Sequence, residues 1–186
     1  MNEEDTRFTP VEGAIRRFAA NETVLVVAET PGLECRYCAP ASLVTGPYVS
    51  WLTRRSESPL LVAMDHARLE ELGIDLVSRT GTETSLRRPF FTETVDLRDE
   101  AHPGSPHGYS ATIRALADPN YGAADFSKPG MVRPIRATEG GVLRRAGFAE
   151  AAVDLAHQAG MPPVAVLSQM VNAESEDPSL DEVFAV

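Results

Sequence analysis

The run 140-GGVLRRAGFAEAAVDLAHQAG-160 concentrates groups that could do chemistry. Arg144 and Arg145 stand just before a predicted helix start. Exposed N–H groups, the positive end of the helix dipole and a guanidinium fork all favour a phosphate or carboxylate there. Gly140 and Gly141 let a ligand approach the backbone, which favours Arg145 as the anion anchor. Glu150 falls in the first turn of the helix, and Glu150, Asp154 and His157 recur at i, i+4 and i+7. Such a set could ligate a divalent metal or act as general acid and base. A polar stripe opposite the apolar stripe of Phe148, Ala152, Leu155 and Ala159 is equally what an ordinary surface helix carries. Phe148, at the centre of the run, brings no polar group.

Other candidates are weaker. Cys35 and Cys38 form a lone CxxC, a redox dithiol or half of a zinc site, and the chain has no further cysteine. His102 and His107 complete a Cys2His2 set only if the fold brings them close; otherwise the pair is two reduced thiols on a loop. Arg87, Arg88, Arg133 and Arg136 are anion candidates or solvated surface charges. Lys128 is the sole lysine, so cationic chemistry falls to arginine, a poor base, and a Schiff base has one candidate. Neither G-x-S-x-G, nor a P-loop, nor G-x-G-x-x-G after a strand occurs, so hydrolase, NTPase and dinucleotide readings lack support.

The elements that must position these groups follow from periodicity. Pro10 with Val11, Ile15 and Phe18 predicts an amphipathic helix, and 23-TVLVVAE-29 a buried strand. Residues 30–40, with a proline near either end, read as a loop, and 41–55 as a helix that Gly46-Pro47 kinks or splits. A strand over 59–65 leads into a helix over 66–74, capped by Asp65 and ended by Gly73. Residues 75–89 read as a long loop, 90–97 as a half-buried strand, 102–108 as a loop and 109–118 as a helix. Extended chain follows over 120–139, then the helix of the opening run, a strand over 163–171, and an acidic, mobile tail. Strands and helices without strict alternation point to an α+β or three-layer α/β domain.

The 186 residues fit a single domain, 1–173, with a tail, 174–186. A net charge of −10 repels phosphate backbones, which argues against nucleic acid as a partner. No apolar run is long enough for a membrane span, and MNEEDTRFTP lacks the layout of a secretory signal, so a cytoplasmic location is the default expectation.

The runs TIRALADP, DFSKPGMVRPIRATEGGVLRRAGFAEAAVDLAHQAG and PPVAVLSQMVN strongly resemble the C-terminal half of the 3,4-dihydroxy-2-butanone 4-phosphate synthase family. VEGAIRRFAANETVLVV, LEELGI and FFTETVDL extend the resemblance, so it spans roughly residues 11–172. It implies an α+β fold, a three-layer α-β sandwich, in a homodimer with active sites at the subunit interface. It also implies magnesium-assisted conversion of ribulose 5-phosphate to dihydroxybutanone phosphate and formate.

The motifs that carry that chemistry depart from the family's. Where it has a D-R-E-N-E-G-D run, this chain has 28-AETPGLECRYCA-39, whose only acids are Glu29 and Glu34. Where it has G-H-T-E, with a metal-binding histidine and a phosphate-contacting threonine, this chain has Gly147-Phe148-Ala149-Glu150. Gly108-Tyr109 replaces an Asp-Arg pair, and Met131 a histidine. What survives is Arg145, matching the family's arginine before G-H-T-E, with Glu150, matching its catalytic glutamate, and Thr84-Ser85 near its N-T-S or N-T-D run.

The expectation is therefore a divergent member with redirected chemistry on a small anionic or partly apolar substrate, without magnesium or another cofactor, in a setting such as specialised metabolism. Glu150 is the expected acid or base; Arg145, Arg144, Phe148, Thr84 and Ser85 are the expected substrate contacts. A non-catalytic binding homologue and the parent synthase are the alternatives.

Overall fold

A computed structural model describes residues 7–30, 32–56, 58–77, 89–174 and 176–185. Its centre is a mixed sheet of β1 (Val24–Thr30), β2 (Gly32–Pro40), β3 (Leu61–Met64), β4 (Phe90–Phe91), β5 (Val95–Leu97), β6 (Phe126–Arg136) and β7 (Val164–Gln169). The strand order is β1-β2-β7-β3-β6-β4, with β5 also paired to β6. Among the described residues only β3 and β6 run parallel; the other pairings are antiparallel.

Helices cover both faces, because the inner strands bury side chains on both. β7 makes this plain: Val164 and Val166 enter one core cluster, Ala165 and Leu167 the other. The first cluster gathers Val49 and Leu52 of α2 (Gly46–Thr53), Leu69 of α3 (His66–Glu71) and Ile113 and Leu116 of α4 (Pro106–Ala117). The second gathers Phe18 of α1 (Val11–Ala19) with Ala152, Val153 and Ala156 of α5 (Phe148–Gln158). This α/β/α layering is the expected three-layer sandwich.

Several local readings hold. The Asp65 carboxylate accepts from the Arg68 N–H at 2.9 Å and caps α3, and Gly73 closes it with φ +60. The helix read over 41–55 is split into a 3-10 turn, Ala41–Leu43, and α2, where Thr45 caps and Pro47 occupies the first turn. α4 starts earlier than expected, at Pro106, because Ser105 caps it through the Gly108 N–H. The strand read over 90–97 divides into β4 and β5.

The loop read over 30–40 is instead β2, paired along its length with β1 and β7. Leu33, Cys35 and Tyr37 alternate with Glu34, Arg36 and Cys38, a strand's period that the flanking prolines obscured. Of the acidic segment 174–186, residues 180–184 form α6 (Leu180–Phe184), capped reciprocally by Ser179 and Glu182. Its Val183 packs into the first core cluster. Among the described residues no helix is long and apolar enough to cross a membrane.

Candidate functional site

A cleft of 670 Å³ opens where the start of α5 overhangs the sheet. Leu61, Ile135 and Leu167 form its floor, Val26, Val27 and Ala28 its β1 side, and Val142 and residues 145–151 its roof. Among the described residues that line it, only Glu34, Arg36, Arg145 and Glu150 have polar side chains.

Glu150 is fully buried and Arg145 is 7% exposed. An Arg145 guanidinium nitrogen donates to Glu150 Oε1 at 3.0 Å, and the Thr138 backbone N–H donates to the same oxygen at 2.8 Å. Glu150 Oε2 is buried without a hydrogen-bond partner among the described residues. A buried carboxylate oxygen left bare costs more than about 1–3 kcal/mol, so it calls for a donor beyond the described residues. Gly147 makes room for it: a Cβ there would stand 2.3 Å from Oε2. The glycine at this N-cap is thus required by the carboxylate it packs against.

Above this pair, the Arg145 guanidinium lies 4.9 Å from the Phe90 ring centroid, and Arg136 lies at the same distance. Phe148 packs partly against the second core and turns its ring toward Arg36, whose guanidinium lies 5.1 Å from the ring centroid. Arg36 also meets Glu34 at 3.6 Å and donates to Gln169 at 3.3 Å. Arg36 escaped the sequence reading because its strand was taken for a loop. The alternation of Glu34 and Arg36 with buried neighbours could have found it.

The structure therefore brings Arg145, Phe148 and Glu150 together. Arg144 is exposed and lies outside the lining. Thr84, Ser85, Arg87 and Arg88 lie outside the described residues. The stripe of Glu150, Asp154 and His157 does not act as one set. Glu150 turns into the core, whereas Asp154 accepts from the Val142 N–H at 2.8 Å and packs against Gly141, and His157 reaches Asp65 at 3.8 Å.

The CxxC is not a pair either. Cys35 and Cys38 are three apart on one strand, so they face opposite core clusters. Burial pushes the Cys35 thiol up to about 11 and the Cys38 thiol up to about 12. His102 and His107 are exposed, and among the described residues no three His, Cys, Asp or Glu side chains gather as metal ligands.

This geometry has close parallels. The family model of 3,4-dihydroxy-2-butanone 4-phosphate synthase matches residues 12–186. The riboflavin biosynthesis protein RibBA of Rhodococcus jostii (strain RHA1) is 39% identical over 173 residues, 92% of this chain and 41% of that protein. The protein of the same name from Mycobacterium tuberculosis (strain ATCC 25177 / H37Ra) is 36% identical over 92% of this chain and 40% of its own length. The chain thus spans about two fifths of these curated relatives. Among solved structures, the 3,4-dihydroxy-2-butanone 4-phosphate synthase of Candida albicans superposes with a TM-score of 0.86 and 29% identity, over 96% of this chain and 88% of that one. A synthase structure in complex with two magnesium ions superposes with a TM-score of 0.82 and 28% identity, over 89% of this chain and 77% of that one. The chain belongs to the 3,4-dihydroxy-2-butanone 4-phosphate synthase family.

Proposed function

We propose that the cleft binds a small anionic substrate and that Glu150 moves a proton on it, without the family's metal. The bare Glu150 Oε2 carries this reading. Arg145 and the Thr138 N–H fix the other oxygen and hold the carboxylate in one orientation, and Gly147, having no Cβ, leaves room for Oε2. A carboxylate held this way is preorganised to accept or return a proton at a single atom.

Magnesium supplies Lewis-acid polarisation of vicinal oxygens and needs several hard oxygen donors in near-octahedral array. The described side chains of the cleft do not fit it. Glu150 is committed to Arg145, Glu34 faces Arg36, and Phe148 and Ala149 offer no donor where the family motif has His and Thr.

The parent synthase activity is the second reading, favoured by 39% identity to a riboflavin biosynthesis protein and by the retained Arg145 and Glu150. A third, a binding homologue without catalysis, draws on the burial of Glu150 against an arginine, but Glu150 also lines the cleft. A homodimer is part of the proposal, by analogy with the family.

Incubating the protein with ribulose 5-phosphate, with and without magnesium, separates the first two readings. The expected result is no formate above the blank; magnesium-dependent formate that Glu150→Gln abolishes would establish the synthase instead.

A further inference from the structure

Resting on the reading that this cleft binds a small molecule, the arrangement of its walls narrows what that molecule is. We infer that it is a monocarboxylic acid with an aromatic or branched apolar body, its carboxylate on Arg36 and its body along the floor beside Phe148.

The charge comes first. Of the two cations among the cleft's described lining residues, Arg145 is 7% exposed and committed to Glu150. The Arg36 side chain is 20% exposed, and its contacts to Glu34 at 3.6 Å and Gln169 at 3.3 Å are longer than a tight charge-assisted bond. A guanidinium lying over a phenyl ring keeps its donors around its edge, in the plane that a carboxylate meets with two parallel bonds. Glu34 beside it offsets part of the positive charge, which suits a monoanion and penalises a phosphate dianion.

The walls decide the body. Leu61, Ile135 and Leu167 give no hydrogen bonds, so each hydroxyl of a sugar laid on them would lose its water without a replacement. An apolar body gains there instead. The volume, 670 Å³, falls within the range of sites that enclose organic ligands of moderate size. Glu150, in the roof, is the proton-transfer group that the substrate's reacting end would meet.

Titration calorimetry of the full chain tests this with phenylacetate, 3-methylbutanoate, phenylacetamide and ribulose 5-phosphate. At least one acid is expected to bind, with the amide weaker by about tenfold or more. Arg36→Gln should erase the acid–amide difference, and Arg36→Lys should keep part of it, because charge without the planar fork remains. Circular dichroism checks that both variants fold. Equal affinity for acid and amide, or an acid preference that survives Arg36→Gln, overturns the inference. Binding of ribulose 5-phosphate in the absence of any acid binding also overturns it, while leaving the cleft as a small-molecule site. Binding of none of the four overturns both readings.

Discussion

Arg145 and Glu150 meet at 3.0 Å with side chains 7% and 0% exposed, at the point where the cleft roof joins the second core. Charges so buried are held by each other, and removing one strands its partner. Arg145→Met is expected to lose about 3–5 kcal/mol in urea denaturation. Arg145→Met with Glu150→Met should recover much of that loss, since two apolar side chains leave no buried charge. A single-variant loss under about 1 kcal/mol would place the pair in the class of solvent-screened surface bridges.

Gly147 gives a sharper probe of the same carboxylate. A Cβ there would stand 2.3 Å from Glu150 Oε2, and the carboxylate cannot yield freely because Arg145 and the Thr138 N–H hold its other oxygen. Gly147→Ala should cost about 1–3 kcal/mol by overpacking. Gly122→Ala, where nothing lies within 4 Å, is the neutral control. Equal melting temperatures for the two variants would refute the contact.

These residues show what was legible in the sequence. The α5 stripe, the Asp65 cap and the split of the helix near Gly46-Pro47 follow from local rules, and they hold because periodicity and capping act over a few residues. β2 is hidden because two prolines resemble loop punctuation, while one side of the strand is fixed by pairing with residues more than a hundred positions away, such as Cys38 with Leu167. Arg36 was lost with it. The inward turn of Glu150, away from Asp154 and His157, depends on Arg145 and Thr138 arriving from outside the helix, which no helical spacing encodes.

Alkaline pH should destabilise the fold. Burial raises Cys35 from 9.0 to about 11, Cys38 from 9.0 to about 12 and Tyr48 from 10.0 to about 12. Above pH 9 the unfolded chain releases protons that the folded chain keeps. Stability is therefore fully present below about pH 9 and falls as pH rises toward 12, and Cys38→Ala should flatten part of that fall. Denaturation midpoints across this window check the slope; a flat profile contradicts the burial of these groups. At pH 8 both thiols should resist an aromatic disulfide reagent until the chain is unfolded.

Restoring the family's motif tests whether one residue or a whole donor set separates this cleft from a magnesium site. Phe148→His with Ala149→Thr rebuilds Gly-His-Thr-Glu, yet supplies one imidazole beside a glutamate already held by Arg145. Magnesium binds through several oxygen ligands and sheds its water reluctantly. Glu34, the other carboxylate in the described lining, faces Arg36 at 3.6 Å. The double variant should therefore gain neither a calorimetric magnesium signal nor formate release from ribulose 5-phosphate. It should also weaken any apolar acid that binds the parent chain, because an imidazole replaces the phenyl ring under Arg36. Magnesium-dependent formate release from that variant would mean that the remaining donors already form a competent set, and that Phe148 and Ala149 together keep the family's reaction switched off.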